Sequence, residues 1–292
     1  MTIPIVFIHL GNQEYLYKIV LYARQRSTRV VLLGDQSNIM RGIEHVDLST
    51  LGSPALDEFR AHFVNYSTNN PNLEFLCFSR MFHLREWMVR NSVSTCVHLD
   101  SDCILLDHVD TLFKNNVTSY IYPRLERDDP ARMAGNVATS CLTIPFLDAF
   151  IQLCRDIYVT KTKFHLIQPK IQYHKDHGKP GGICDMTLYY LLSKELTIHN
   201  LLDKQEDGST YDDNINDTLG FDGPNTFSLG SHGIKDLSIV DNKVYARLVS
   251  GDVVKLNNLH FQGNNGKKNI EFFVPVIQSR PPSVPQLSWL RR

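Results

Sequence analysis

The sequence lacks a surplus of charge of either sign. Thirty Lys and Arg stand against 31 Asp and Glu in 292 residues, a formal net charge of -1. A dedicated nucleic-acid binder carries a basic excess, so no nucleic-acid partner is expected. No apolar run approaches the roughly 20 residues of a membrane-spanning helix. The opening MTIPIVFIHLGNQEY has no basic n-region and only a short apolar run, which makes a poor signal peptide. The location expected is therefore cytoplasmic. Cysteine is sparse: Cys77, Cys96, Cys103, Cys141, Cys154 and Cys184, with no C-x-x-C pair and most of them inside apolar runs. That spacing speaks against a zinc site and a disulfide framework, and for buried thiols in a reducing compartment. There is no internal repeat, and no Gly-, Ser- or Pro-rich linker before residue 279. One mixed α/β unit over residues 1–278 is expected, followed by an extended tail over 279–292.

What is present is an alternation of strand and helix patterns. Residues 3–10 form a short apolar run closed by Gly11-Asn12, residues 14–24 place apolar side chains at helical spacing, and residues 29–33 form a second strand closed by Gly34-Asp35. Strand, turn, helix and strand within about 30 residues mark a βαβ unit. Helices are predicted over 54–65, with Pro in the first turn, and over 75–90, and a strand over 95–99. Further on, the patterns predict helices over 107–115, 145–158 and 184–194 and strands over 119–123 and 138–144. Residues 160–180 carry five Lys and three His against one Asp and end in Pro-Gly-Gly, which reads as a mobile basic loop, disordered or closing as a lid. Residues 236–259 alternate apolar and polar residues around Asp241-Asn242 and Ser250-Gly251, the pattern of a β-meander.

The strongest chemical signal is HLDSDCILL, residues 98–106. Continued as strand, it puts Asp100 and Asp102 on one side, just past the carboxyl end of a buried strand, where open α/β sheets bind ligands. Two adjacent carboxylates repel each other. A hard divalent cation relieves that repulsion, and Mg²⁺ or Mn²⁺ keeps positions open for phosphate oxygens.

An N-terminal βαβ unit followed by an apolar strand ending in Asp-x-Asp resembles the GT-A fold glycosyltransferases. Downstream, LHFQGNNGKK (residues 259–268) is similar to the closing His-x-x-Gly-x-x-Lys motif of the retaining enzymes related to glycogenin and the bacterial galactosyltransferases. His260 and Gly263 match. Gly266 stands where that family has its lysine, Lys267 follows one residue late, and the family's Pro-Trp is absent.

The resemblance implies a Rossmann-like, mainly parallel sheet flanked by helices, with residues 1–106 as the nucleotide-binding half and 107–278 as the acceptor-side half. It implies Asp100, Asp102 and His260 as ligands of Mn²⁺ or Mg²⁺, and Lys267 as the catalytic cation on the leaving diphosphate. His9, Leu10, Gly11 and Asn12 would hold base and ribose, with Asp35 a further candidate. Gly263 would let backbone approach phosphate. Arg80, in an otherwise apolar helix column, needs a partner such as Asp100 or the diphosphate. Ser101 lies between the two aspartates, Asn136 falls in the loop that touches the donor sugar, and Asp185 at a helix start faces sugar or acceptor.

The activity expected is transfer of a sugar from a nucleotide-diphosphate donor, UDP-linked, to an acceptor hydroxyl of a carbohydrate or glycoconjugate, with retention of configuration. An inverting reaction would need a base, for which Asp185 is the candidate. A nucleotidyltransferase would carry a Gly-rich basic loop after the first strand, where this chain has GNQEYLYK. A sugar- or nucleotide-binding module without catalysis is the remaining alternative. Trp289, Arg291 and Arg292 in the tail are the one stretch suited to peripheral contact with an anionic membrane.

Overall fold

A computed structural model describes residues 3–115, 117–123, 129–230, 232–271 and 273. The tail over 279–292 lies outside the described residues. The chain begins β1 (Ile5–Ile8), α1 (Glu14–Ala23), β2 (Val30–Gly34), β3 (Glu44–Asp47), α2 (Pro54–His62), α3 (Pro71–Arg90), β4 (Thr95–Leu99), β5 (Cys103–Leu105) and α4 (Val109–Leu112). It continues with β6 (Ser119–Ile121), β7 (Asn136–Thr143), α5 (Ile144–Cys154), α6 (Gln168–His177), α7 (Asp185–Glu195) and β8 (His199–Asn200). The C-terminal part holds β9 (Leu237–Val240), β10 (Lys243–Arg247), β11 (Val253–Lys255), β12 (Asn258–His260) and α8 (Gly263–Lys267).

The central sheet has seven strands in the order β3-β2-β1-β4-β7-β6-β8. Every neighbouring pair is parallel except the two that involve β7. This is the mixed, mainly parallel α/β architecture expected. The strands at its centre are buried on both faces, as a sheet covered on two sides requires. Along β1 the faces alternate. Ile5 and Phe7 join a core with Leu16 and Ile19 of α1, while Val6 joins a core with Phe78, Phe82 and Trp87 of α3.

Helix starts follow local chemistry. Asn70 accepts from the backbone N–H groups of Asn72 and Leu73, with Pro71 in the first turn, so α3 begins four residues before the apolar periodicity shows it. β3 escapes the sequence pattern because it is an edge strand, EHVD, with charged and half-buried positions in place of an apolar run. All six cysteines are free: Cys96, Cys103, Cys141 and Cys154 are buried, and Cys77 and Cys184 are half-buried.

Two expectations need correction. The basic segment 160–180 is not a mobile loop: it folds as a short 3-10 turn, Phe164–Leu166, and then α6. Ile167 is fully buried, and the Lys170 ammonium, also buried, donates to the Met133 carbonyl (2.8 Å) and the Thr187 hydroxyl (3.1 Å). Composition hid these anchors, because a lysine counted as solvated is an internal hydrogen-bond donor here. The second correction concerns residues 236–259. β9, β10 and β11 form the antiparallel meander, and Asp241 and Asn242 take the positive φ of a tight hairpin turn. The last strand, β12, leaves the meander and pairs antiparallel with β5, with His260 opposite Cys103.

Candidate functional site

β1 and β4 run parallel and end side by side, and their carboxyl ends open into a cavity of about 300 Å³. His9, Leu10, Arg80, Asp100, Ser101, Asp102 and Lys267 all line it. A larger cavity, about 470 Å³, opens elsewhere between Leu112, Lys114, His199 and Asn257 and contains none of the expected site residues.

The two aspartates reach the smaller cavity by a route different from the one expected. The strand stops at Leu99, and Asp100-Ser101-Asp102 is a turn closed by the Cys103 N–H on the Asp100 carbonyl (2.9 Å). β5 then starts and brings in β12. Two separate turns of chain therefore converge, Asp102 before β5 and His260 at the end of β12.

Asp102 Oδ1 lies 3.6 Å from His260 Nε2, and Asp102 Oδ2 lies 3.1 Å from the Lys267 ammonium. His260 Nδ1 contacts the Asp213 carbonyl, at 2.5 Å. A carbonyl can only accept, so Nδ1 presents its N–H to it and Nε2 is the nitrogen left facing Asp102, the arrangement a metal-ligating histidine uses. Ligand atoms of Asp102, Cys103 and His260 lie within 4.8 Å of one another. Burial pushes the Cys103 thiol well up, and a hard cation prefers oxygen and imidazole nitrogen to sulfur. An oxygen and an imidazole nitrogen fit Mn²⁺ or Mg²⁺ with open positions.

Asp100 is committed elsewhere. Arg80 from α3 donates through Nη1 to Asp100 (2.7 Å) and through Nη2 to Asp185 (2.8 Å). Burial works against the Asp100 carboxylate, but Arg80, then His98 and His260, outweigh it and hold the group below its ordinary range. Burial also opposes the Arg80 charge, and Asp100 and Asp185 override it. Asp185 is 3% exposed, opens α7, and reaches the cavity only through Arg80.

The Lys267 ammonium is penalised by burial but held charged by Asp102 and lies 5.6 Å from the centre of the Tyr15 ring. The late position of this lysine has a steric reason. A Cβ on Gly266 would lie 2.5 Å from the Phe261 carbonyl carbon, so no side chain fits at that residue. Gly266→Ala is expected to cost about 1–3 kcal/mol, as overpacking does, which a fall in the urea midpoint measures. Gly263 opens α8 at φ +70, a dihedral that favours glycine, and a Cβ there would face open space.

The first-strand loop is braced from below. Gly11 (φ +91) donates its N–H to Asp35 Oδ2 (2.7 Å), and Asp35 Oδ1 takes the Ser37 backbone N–H. Ser37, then Gly11, hold the Asp35 carboxyl low. Asp35 thus supports the loop and does not line the cavity; exposed Asn12 lies outside it too. Asn136 does not line the cavity but lies behind His260: its amide donates to Asp213 Oδ1 (2.7 Å), with the same nitrogen 3.5 Å from His260 Nδ1, and its carbonyl oxygen accepts from Ala138 N–H.

Sequence reasoning missed Asp212, Asp213 and Lys235. Asp212 Oδ2 accepts the His260 backbone N–H (2.9 Å), and Asp212 Oδ1 pairs with Lys235 Nζ at 2.6 Å, both side chains fully buried. Burial raises the Asp213 carboxyl, partly offset by Asn136. The one local signal was the acidic doublet between buried Tyr211 and Ile215; Lys235 carried none.

No family model and no curated protein sequence matches the chain. Among solved structures the chain is similar to mouse xyloside xylosyltransferase 1 in its apo form (10% identity, 68% of this chain and 84% of that one, TM-score 0.41). It is similar to a glycosyltransferase involved in glycosylation of the major capsid of PBCV-1 (10% identity, 93% and 98%, TM-score 0.41). It is also similar to the glycosyltransferase GlyE of Streptococcus pneumoniae TIGR4 (14% identity, 71% and 47%, TM-score 0.39). At these TM-scores the likeness is coarse, and function has to be read from the site's own residues.

Proposed function

We propose that the chain is a metal-dependent glycosyltransferase that moves a sugar from a nucleotide-diphosphate donor, UDP-linked, to an acceptor hydroxyl with retention of configuration. The observation that carries this reading is the meeting of distant parts of the chain on Asp102: Lys267, which lines the cavity at the strand ends with it, lies 3.1 Å from its carboxylate, and buried His260 lies 3.6 Å behind. The placement suits a donor whose base lies against the His9–Leu10 loop and whose diphosphate reaches Lys267.

Asp102 and His260 would hold the cation, with the free oxygen of Asp100 in reserve. When bound, it supplies Lewis-acid neutralisation of the departing diphosphate. The fixed charges favour this: Asp100, Asp102 and Asp185 are three carboxylates against two cations, Arg80 and Lys267. Lys267 rests on Asp102 and is long enough to turn to phosphate, a point charge on a flexible stem. Arg80 locks Asp100 and Asp185 in place. Asp185, buried and paired, is a poor base for an acceptor, which supports retention with the leaving phosphate assisting the incoming hydroxyl. The alternative is an inverting enzyme in which Arg80 releases Asp185 on donor binding, or a binding module without turnover.

The test is UDP release from a panel of UDP-sugars with Mn²⁺ and with EDTA, beside GDP-sugars. Release that requires Mn²⁺ is expected. Turnover only from GDP-sugars would overturn the UDP assignment, and no metal-dependent UDP binding with no turnover would sink the enzyme reading.

A further inference from the structure

Beneath His260 lies a buried ion pair remote from the cavity. Lys235, 1% exposed, sits at the entry to the β-meander. Its ammonium donates to Asp212 Oδ1 and to the Asn214 carbonyl, both at 2.6 Å, and lies 4.8 Å from the centre of the Phe227 ring. It therefore grips the residues on either side of Asp213. The other oxygen of Asp212 takes the His260 backbone N–H (2.9 Å), and the Asp212 N–H goes to Asn258 Oδ1 (2.6 Å). Between the two gripped residues, the Asp213 carbonyl faces His260 Nδ1, with the Asn136 amide 3.3 Å from the same carbonyl as a second, longer brace.

We infer that Lys235 is a positioning residue for His260: by clamping Asp212 and Asn214 it aims the Asp213 carbonyl at Nδ1 and so fixes the tautomer whose Nε2 faces Asp102. The metal consequence rests on the proposed function; the tautomer does not. Stability alone gives little reason for the pair. Taking both charges out of water is costly, and apolar replacements of buried pairs are often neutral or better. What an apolar pair would not supply is the two-point grip across a single backbone carbonyl. A carbonyl left to turn offers Nδ1 no fixed acceptor, and a neutral imidazole then exchanges protons between its nitrogens. The clamp also gives the meander a task. Lys235 donates its own N–H to the Ile215 carbonyl, and Ile215 returns an N–H to the His260 carbonyl (3.0 Å), so the meander and β12 share one brace.

The experiment records the ¹⁵N resonances of His260 in metal-free full chain and then titrates Mn²⁺. The wild type is expected to show one tautomer, with the proton on Nδ1. In the paired variant Lys235→Met/Asp212→Asn no buried charge is left alone, and asparagine can still accept the His260 N–H. That variant is expected to keep its cooperative thermal transition yet show mixed tautomers, with Mn²⁺ affinity reduced about 10–100-fold, as for other groups that orient a metal-bound histidine. Lys235→Met alone gives the same signature with a lower midpoint. A single Nδ1–H tautomer retained in the folded paired variant would overturn the inference. If the wild type binds no Mn²⁺, the metal reading fails while the tautomer still decides the role of Lys235.

Discussion

Asp102→Asn is expected to lower metal-dependent turnover by about three orders of magnitude while leaving the fold in place. Three interactions meet on this carboxylate: His260 Nε2 at 3.6 Å, the Lys267 ammonium at 3.1 Å, and the cavity mouth itself. Asparagine keeps the shape and loses the charge. The cation would lose its anionic ligand, and Lys267 its resting partner. Removing one group that stabilises developing charge costs about 10²–10³ in rate, and loss of a cation ligand belongs at the upper end. The measurement is UDP release at saturating donor across an Mn²⁺ series, beside a urea unfolding curve. A variant within tenfold of wild type at every Mn²⁺ concentration would remove Asp102 from the mechanism. Unfolding at a much lower urea concentration would instead show that the residue is structural.

Arg80→Met should be the most destabilising substitution at the site, by about 3–5 kcal/mol, the cost of breaking a buried pair and leaving its partners charged. Among the described residues Arg80 is the cation paired with both Asp100 and Asp185, and Asp185 has almost no access to water. The pH dependence separates this from lost packing. In the wild type the Asp100 carboxyl titrates below its ordinary value of 3.8, so its contribution to stability is complete above that value and is lost as pH falls through the folded-state pKa, below 3.8. Without Arg80 the burial that works against the charge is left unopposed by its main counterweight. The carboxyl then rises above 3.8, and the variant should regain stability relative to wild type on acidification from neutrality. Urea midpoints between about pH 7 and pH 3 should therefore converge. A deficit that stays constant over that range would mean that the loss is packing alone.

The βαβ unit, the strand that leads to Asp100 and the meander were legible because each rests on a local pattern, an apolar run or an alternation closed by turn residues. At the candidate site the sequence pointed to Asp102, His260 and Lys267 by their own chemistry, and the structure brings these three side chains together. The site was not legible where a role depends on a distant partner. Nothing near Asp185 says that Arg80 lies against it, 105 residues away. Nothing in residues 160–180 says that Lys170 points inward to the Met133 carbonyl. The same applies to Asp35, whose carboxylate props the Gly11 loop, a contact that its position after β2 did not announce. Gly266 is the instructive case. As a departure from the resembled motif it cast doubt on the lysine, and the close approach of α8 to Phe261 explains both the glycine and the shift.

The antiparallel pairing of β12 with β5 joins segments about 150 residues apart, and Asp102 and His260 meet only through it. Closing so long a loop comes late, because its entropy must be offset by contacts that already stand. During folding, the first-strand loop and its Asp35 prop can form from neighbouring elements alone, well before His260 reaches Asp102. The appearance of the His260 signature would then time a late step of assembly, after the first-strand loop has formed.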